Sequence, residues 1–366
     1  MKRKSFLTLS LAASLFFFLT GFSTELNTLS KSEKASTKSL PRSTPEAENV
    51  NATGISNYLK AVKESGQDLH SLMIVRHGKV VFETWLGDNA ANKKHIMNSV
   101  SKTFTATAVG FAVTENRLKV TDKVISFFPD ILPKEISPYL KELEVRHLLT
   151  MSVGQNVGLV NKVMDIKGAN WMQEILATPF ESKPGTVFDY NSLATYMLSA
   201  IVQKVTGQKV IDYLTPRLFE PLGIDGITWE ESPQGINLGG WGLYVKTEDM
   251  AKLGQFILQK GKWNGKQLIA KSWIDEMTTY KIASLPSGAK KDDLKMKAEA
   301  EDSDWLQGYG YKMWMCRHNG VRADGAGGQY IILLPEIDAV IVTTAQIRDM
   351  QAELNLIWDY LLPAFK

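Results

Sequence analysis

The sequence predicts an α+β fold in which one antiparallel sheet, flanked by helices, is built from both ends of the chain around a large, mostly helical insertion. Two observations carry this. Strand-like runs lie early, at 71–75 and 80–85, and late, at 309–316, 329–334 and 339–344, while helical patterns broken by Pro and Gly fill the stretch from about 120 to 300. The 366 residues are 44% hydrophobic and 22% charged, an ordinary globular composition with length for one large domain or two smaller ones.

The N-terminus reads Met1-Lys2-Arg3-Lys4 and then an apolar stretch over 5–22, which is the grammar of an export signal. An uncleaved anchor is the alternative, because the run approaches the ~18–20 residues that span a bilayer. The expected location is periplasmic or secreted, or membrane-anchored if residues 1–24 are retained, with association to the cell envelope through this end. Lys2, Arg3 and Lys4 account for the whole formal charge of +3, so the charge argues for no nucleic-acid partner. Residues 25–50, rich in Ser, Thr, Lys, Glu and Pro, hold too few large apolar side chains to offset the entropy of ordering them. They read as a flexible tether, leaving 51–366 as the folded domain.

Within that domain the first two strand runs are joined by Arg76-His77-Gly78-Lys79, a hairpin turn. A helix beginning near Ser99 follows from Phe104, Ala108, Phe111 and Ala112 at helical spacing. Helices over 194–205 and 247–259 are closed by Gly207 and Gly261. The highly charged stretch 282–304 reads as a surface excursion. The late strands turn at 317–320 and 335–338, and 350–362 reads as an amphipathic helix.

Ser99-Val100-Ser101-Lys102 sets a hydroxyl and an amine three positions apart at a helix start, on one face and one turn apart. Such an amine can take the serine proton if burial or positive neighbours lower its pKa from ~10.4. Ser101, about 100° round the helix, is the weaker nucleophile. By itself the tetrapeptide more often describes a helix cap followed by a solvated lysine. Context comes from Phe188-Asp189-Tyr190-Asn191-Ser192, a loop whose Tyr190 phenol can exchange protons in a cleft. A third segment, Asp324-Gly325-Ala326-Gly327-Gly328-Gln329-Tyr330, has glycines that admit close backbone approach and suits half of an oxyanion hole. Trp241 and Tyr244, in a glycine-rich stretch, are candidate cleft aromatics, whereas Trp305 and Trp314 read as core. The single cysteine, Cys316, reads as a buried hydrophobe. His70, His77, His95, His147 and His318 form no ligand pattern, so no metal is expected.

In this order the three segments resemble the serine β-lactamase and penicillin-binding-protein superfamily, closest to its class C-like branch of esterases, D-amino-peptidases and oligomer amidases. The flanking phrases at 145–152, 184–186 and 239–244 resemble that family too. The resemblance implies a β-lactamase/transpeptidase-like fold. It places the family's Ser-x-x-Lys on Ser99 and Lys102, its Tyr-x-Asn on Tyr190 with Ser192 in the Asn place, and its Lys-Thr-Gly on Ala326-Gly327-Gly328. The oxyanion donors would be the N–H groups of Ser99 and Gln329. Two departures stand out: Ser192 offers no amide, and Ala326 carries no cation for a substrate carboxylate.

The expected activity is acyl transfer to water from an ester or amide, including β-lactam or D-amino-acid peptide substrates, with no metal or organic cofactor. The alternative is a weakly active or inactive penicillin-binding-like sensor or cell-wall binding protein. A third reading is an anchored interaction protein whose tether matters more than its cleft.

Overall fold

Alternating and continuous apolar runs at the two ends of the chain pair into one sheet, and the structure, a computed structural model, describes residues 39–286, 289 and 294–365. The signal segment and most of the tether therefore lie outside the described residues. In chain order the strands are β1 (Leu69–Arg76), β2 (Lys79–Trp85), β3 (His95–Ile96), β4 (Thr228–Trp229), β5 (Leu243–Val245), β6 (Lys262–Trp263), β7 (Lys266–Gln267), β8 (Trp314–Met315), β9 (Val321–Gly325), β10 (Gln329–Leu334) and β11 (Ala339–Ala345). The helices that bear on the site are α1 (Ala52–Ser65), α2 (Ser101–Thr114), α3 (Val145–Leu149), α4 (Ser192–Thr206), α5 (Thr247–Leu258) and α6 (Met350–Leu356).

The main sheet runs β2-β1-β11-β10-β9-β8, with every neighbouring pair antiparallel. Early and late strands thus meet at the β1–β11 seam, as the sequence predicts. The β1–β2 turn is tight because His77 and Gly78 both take positive φ, 50° and 74°, the twist a two-residue hairpin needs. Side chains alternate across the sheet. Met73, Val75, Ile331, Leu333, Val340 and Val342 join the larger core with α2, α4 and α5. Leu72, Ile74, Tyr330, Ile332 and Ile341 join a second core with α1 and α6.

Helix ends follow local chemistry. Asn191 caps α4 through Oδ1, which accepts from the N–H groups of Leu193 and Ala194, and Gly207 closes it at φ 72°. In α2 every residue from Ser101 to Ala112 is buried, so this helix is a central strut with no solvent face.

Two expectations change. The tether was to run to about residue 50, yet Leu40 and Val50 are buried, and Arg42 bridges Glu83 (2.9 Å) and Glu248 (2.7 Å). A few apolar and charged side chains with distant partners hold residues 39–50 on the domain, a pairing that window composition does not register. The strand expected over 309–316 shrinks to Trp314–Met315, because Lys312 takes φ 58° and breaks the extended run. The charged excursion 282–304 includes a helix at Leu294–Asp302, and 287, 288 and 290–293 lie outside the described residues.

Gly254 lets α5 lie directly on the sheet: a Cβ there would stand 2.6 Å from Val340 Cγ1 and 2.7 Å from Ile331 Cγ2. Gly254→Val should therefore overpack this contact and lower unfolding stability by about 1–3 kcal/mol in urea denaturation.

Candidate active site

The site begins at the N-terminal end of α2. Ser99 lies on a 3₁₀ turn, Asn98–Val100, and is half-buried, while Lys102 one turn later is only 1% exposed. The spacing read from sequence brings them together, with Lys102 Nζ 2.7 Å from Ser99 Oγ and 2.7 Å from the Gly240 carbonyl oxygen. Its ammonium also stands 5.0 Å from the Tyr190 ring centroid. Neither hydrogen-bond partner is a carboxylate. Burial pulls the Lys102 amine down to about 7, against the smaller opposing field of Asp324.

Other α2 side chains fix the walls. Ser101 Oγ is buried and accepts from the Leu243 N–H at 3.4 Å, so this serine faces away from the reactive pair. Thr103 Oγ1 donates to the Lys312 carbonyl at 3.0 Å and Thr105 Oγ1 to the Gly239 carbonyl at 2.9 Å, tying two loops to the helix. Gly240 leaves room for the Tyr190 loop: a Cβ there would meet the Ser192 carbonyl oxygen at 2.7 Å.

Tyr190 stacks on Trp314, centroids 5.5 Å apart and planes 21° apart, and meets Tyr309 edge-on at 6.4 Å. Burial raises its phenol above the usual range, and the nearby Ser99 hydroxyl works in the opposite direction. Asn191 is spent on capping α4, so it does not stand in for the amide missing at Ser192, which is half-buried beside Gly240. Trp241 is half-buried next to Gly240, with its carbonyl accepting from Trp229 Nε1 at 2.9 Å. Tyr244 points its hydroxyl at Glu230 (2.8 Å).

The third segment is placed differently from the sequence expectation. Among the described residues β8 pairs only with Val321 and Arg322, so the outer edge of β9 beyond them has no strand partner there and meets the Ser99 turn. A Cβ on Gly325 would lie 2.4 Å from the Met97 carbonyl oxygen, and Asn98 Nδ2 donates to the Ala326 carbonyl at 2.6 Å. Gly327 and Gly328, at φ 86° and 89°, turn the chain away toward Ala345 and Ile347. Gln329, expected as an oxyanion donor, sits on inner strand β10 opposite Gly325, with its side-chain amide on the Ala345 carbonyl (2.5 Å). The backbone beside Ser99 is thus Gly325–Ala326, because the reversal over 326–328 carries the later residues one strand inward.

The basic residues nearest in sequence to Ala326 do not replace the missing cation. Arg322 is fully buried, bonded to Asp324 Oδ2 at 2.8 Å, with its guanidinium 4.6 Å from the Trp305 ring centroid and 5.6 Å from that of Trp314. Arg317 is held by Asp304 (2.9 Å) and Asn355. Lys312 points its amine at Met151 Sδ, 3.0 Å away, and burial together with the charge of Lys102 pushes it well below the usual amine range. Cys316 is buried and pushed up to about 11, consistent with a structural residue. Sequence reasoning passed over Asn98, Trp314 as the stacking partner of Tyr190, and Lys312; a lysine inside the apolar run 311–316 was the one visible signal.

The Beta-lactamase family model matches residues 65–363. The chain belongs to the Beta-lactamase family. It is 24% identical over 312 residues to the 6-aminohexanoate-dimer hydrolase of Paenarthrobacter ureafaciens, covering 80% of this chain and 75% of that protein. Among solved structures, the putative 6-aminohexanoate-dimer hydrolase from Bacillus anthracis superposes with a TM-score of 0.67 at 18% identity, covering 83% of this chain and 80% of the other. EstCE1, a hydrolase with promiscuous acyltransferase activity, gives 0.70 at 16% identity, with 86% and 99% covered. These likenesses share the fold of this Beta-lactamase family member, which is a serine hydrolase in the general sense.

The Lys102 amine carries a testable sign. Its proton-accepting form grows as pH rises through about 7. Acylation of Ser99 should therefore increase about tenfold per pH unit below that value and level off above it. Single-turnover acylation rates between pH 5 and 9 check this; a rate flat across that range would remove Lys102 as the base.

Proposed function

We propose that this Beta-lactamase family member hydrolyses an ester or simple amide through an acyl-enzyme on Ser99. The observation that carries the reading is the Lys102–Ser99 contact at 2.7 Å with the amine lowered toward neutrality. In the proposed first step Lys102 accepts the Ser99 proton as Oγ bonds to the substrate carbonyl carbon. The resulting oxyanion takes the N–H of Ser99 and, in place of Gln329, the N–H of Ala326. Tyr190 and Lys102 pass the proton to the leaving alkoxide or amine as its bond to carbon breaks. Water then attacks the acyl-enzyme, its proton follows the same route in reverse, and Ser99 leaves as the hydroxyl.

The substrate class follows from charge. Ala326 offers no cation, and Arg322, Arg317 and Lys312 are engaged elsewhere. An acyl compound that needs no carboxylate anchor fits this site better than a β-lactam. The family name of the relatives does not decide between these substrates, and the altered third segment supports the first. The basic and apolar start of the chain further supports export, with cell fractionation as the check.

Ser99→Ala should abolish labelling by a fluorophosphonate while leaving the unfolding transition unchanged, because one hydroxyl is lost with little packing volume. Labelling that persists in this variant would overturn the nucleophile. For the substrate, kcat/KM on a short nitrophenyl ester should exceed that on a chromogenic cephalosporin. The missing charge-assisted hydrogen bond is worth roughly 1.5–3 kcal/mol, about one to two powers of ten. Efficient cephalosporin turnover with poor ester cleavage would refute the preference.

A further inference from the structure

Ala326, the first residue of the turn after β9, continues the β9 edge that has no strand partner among the described residues, and it offers its backbone groups beside Ser99. In an antiparallel hydrogen-bonded pair, two residues exchange both of their N–H···O bonds. An extended substrate that adds to a sheet edge uses the same exchange. A substrate residue whose carbonyl oxygen takes the Ala326 N–H therefore brings its own N–H, one carbon away from the scissile carbonyl, to the Ala326 carbonyl oxygen.

That oxygen is already engaged. Asn98 Nδ2 donates to it at 2.6 Å, across the gap between the nucleophile turn and the β9–β10 turn. The position is built into the backbone. Asn98 takes φ 45°, in the left-handed region that asparagine tolerates better than most residues, and the residue after it is Ser99. Gly325, packed on the Met97 carbonyl oxygen, holds the opposite wall close.

We infer that Asn98 is a specificity-determining residue whose side-chain amide occupies the acceptor an α-acylamino substrate would need. The inference rests on the hydrolase reading above and narrows it. The site takes acyl groups with no N–H on the carbon beside the scissile carbonyl, such as plain carboxylic esters. It disfavours N-acylated α-amino acids and acylamino β-lactams, which must share the Ala326 oxygen with Asn98 or displace it. Displacement forfeits one hydrogen bond, a factor of roughly 3 to 10 in efficiency.

The test compares three nitrophenyl esters, of butanoic acid, of N-acetylalanine and of N-acetyl-N-methylalanine, on wild type and on Asn98→Gly, which keeps the left-handed backbone and removes the donor. The expected result is that kcat/KM for the N-acetylalanine ester, relative to the butanoate, rises roughly 3- to 10-fold in Asn98→Gly. The N-methylated ester, which has no N–H, should show no such gain, and the pH limb set by Lys102 should stay in place. An unchanged or lower ratio, or an equal gain for the N-methylated ester, overturns the inference. Should Asn98→Gly fail to fold, Asn98→Asp keeps the side-chain volume without a donor and is expected to move the ratio in the same direction. Butanoate hydrolysis that survives in Ser99→Ala would bring down the hydrolase reading and this inference together. Hydrolysis that depends on Ser99, with no shift in the ratio, overturns the role of Asn98 alone.

Discussion

A lysine amine shut away from water without a carboxylate is the constraint around which this molecule is arranged. Lys102 is 1% exposed, and its partners are a hydroxyl, a carbonyl and an aromatic face. A full positive charge is costly in such surroundings, and the amine responds by giving up its proton near neutral pH. The carboxylate that could reverse this, Asp324, is tied to Arg322, which in turn lies against the indoles of Trp305 and Trp314. Arg322 thus limits the field Asp324 exerts on Lys102. The charge of Lys102 acts in turn on the second buried amine, on Lys312, which burial and that charge hold well below the usual amine range.

Burying that amine requires a helix covered on all sides, and this dictates the architecture. α2 lies between the sheet and the helical insertion, and its threonines hold the 239–240 loop and the 312 turn. Three segments far apart in sequence then meet at its N-terminal end: the Ser99 turn, the Tyr190 loop leading into α4, and the β9–β10 turn. The stack of Tyr190 on Trp314 joins the second of these to the sheet edge. Each wall is set by backbone proximity as much as by side chains, which is why glycine stands at 240 and 325.

Much of this was legible in the sequence, and the parts that were not share a cause. The period-2 strands, the glycines closing α4 and the α5 region, and the Ser99–Lys102 spacing are local signals, each carried by a few neighbouring residues. The errors lie where a partner is distant. Leu40 and Arg42 looked like tether until Glu83 and Glu248 were brought beside them. Asn191 stands next to the Ser192 position, but its Oδ1 is used by the first turn of α4. The glycine run 325–328 read as one oxyanion segment, yet only its first part faces Ser99.

The sequence by itself determined the fold class, the family likeness and the pairing of Ser99 with Lys102, because one helical turn suffices to set a serine against a lysine. Tertiary structure decided the protonation of that lysine, since burial is a property of what surrounds α2 and is encoded in dozens of scattered apolar positions. It also decided which backbone lies beside Ser99. Three residues of shift, from Ala326 to Gln329, carry an N–H from beside Ser99 to the interior of the sheet, and the packing of Gly325 on Met97 together with the Asn98–Ala326 hydrogen bond holds the turn in that register.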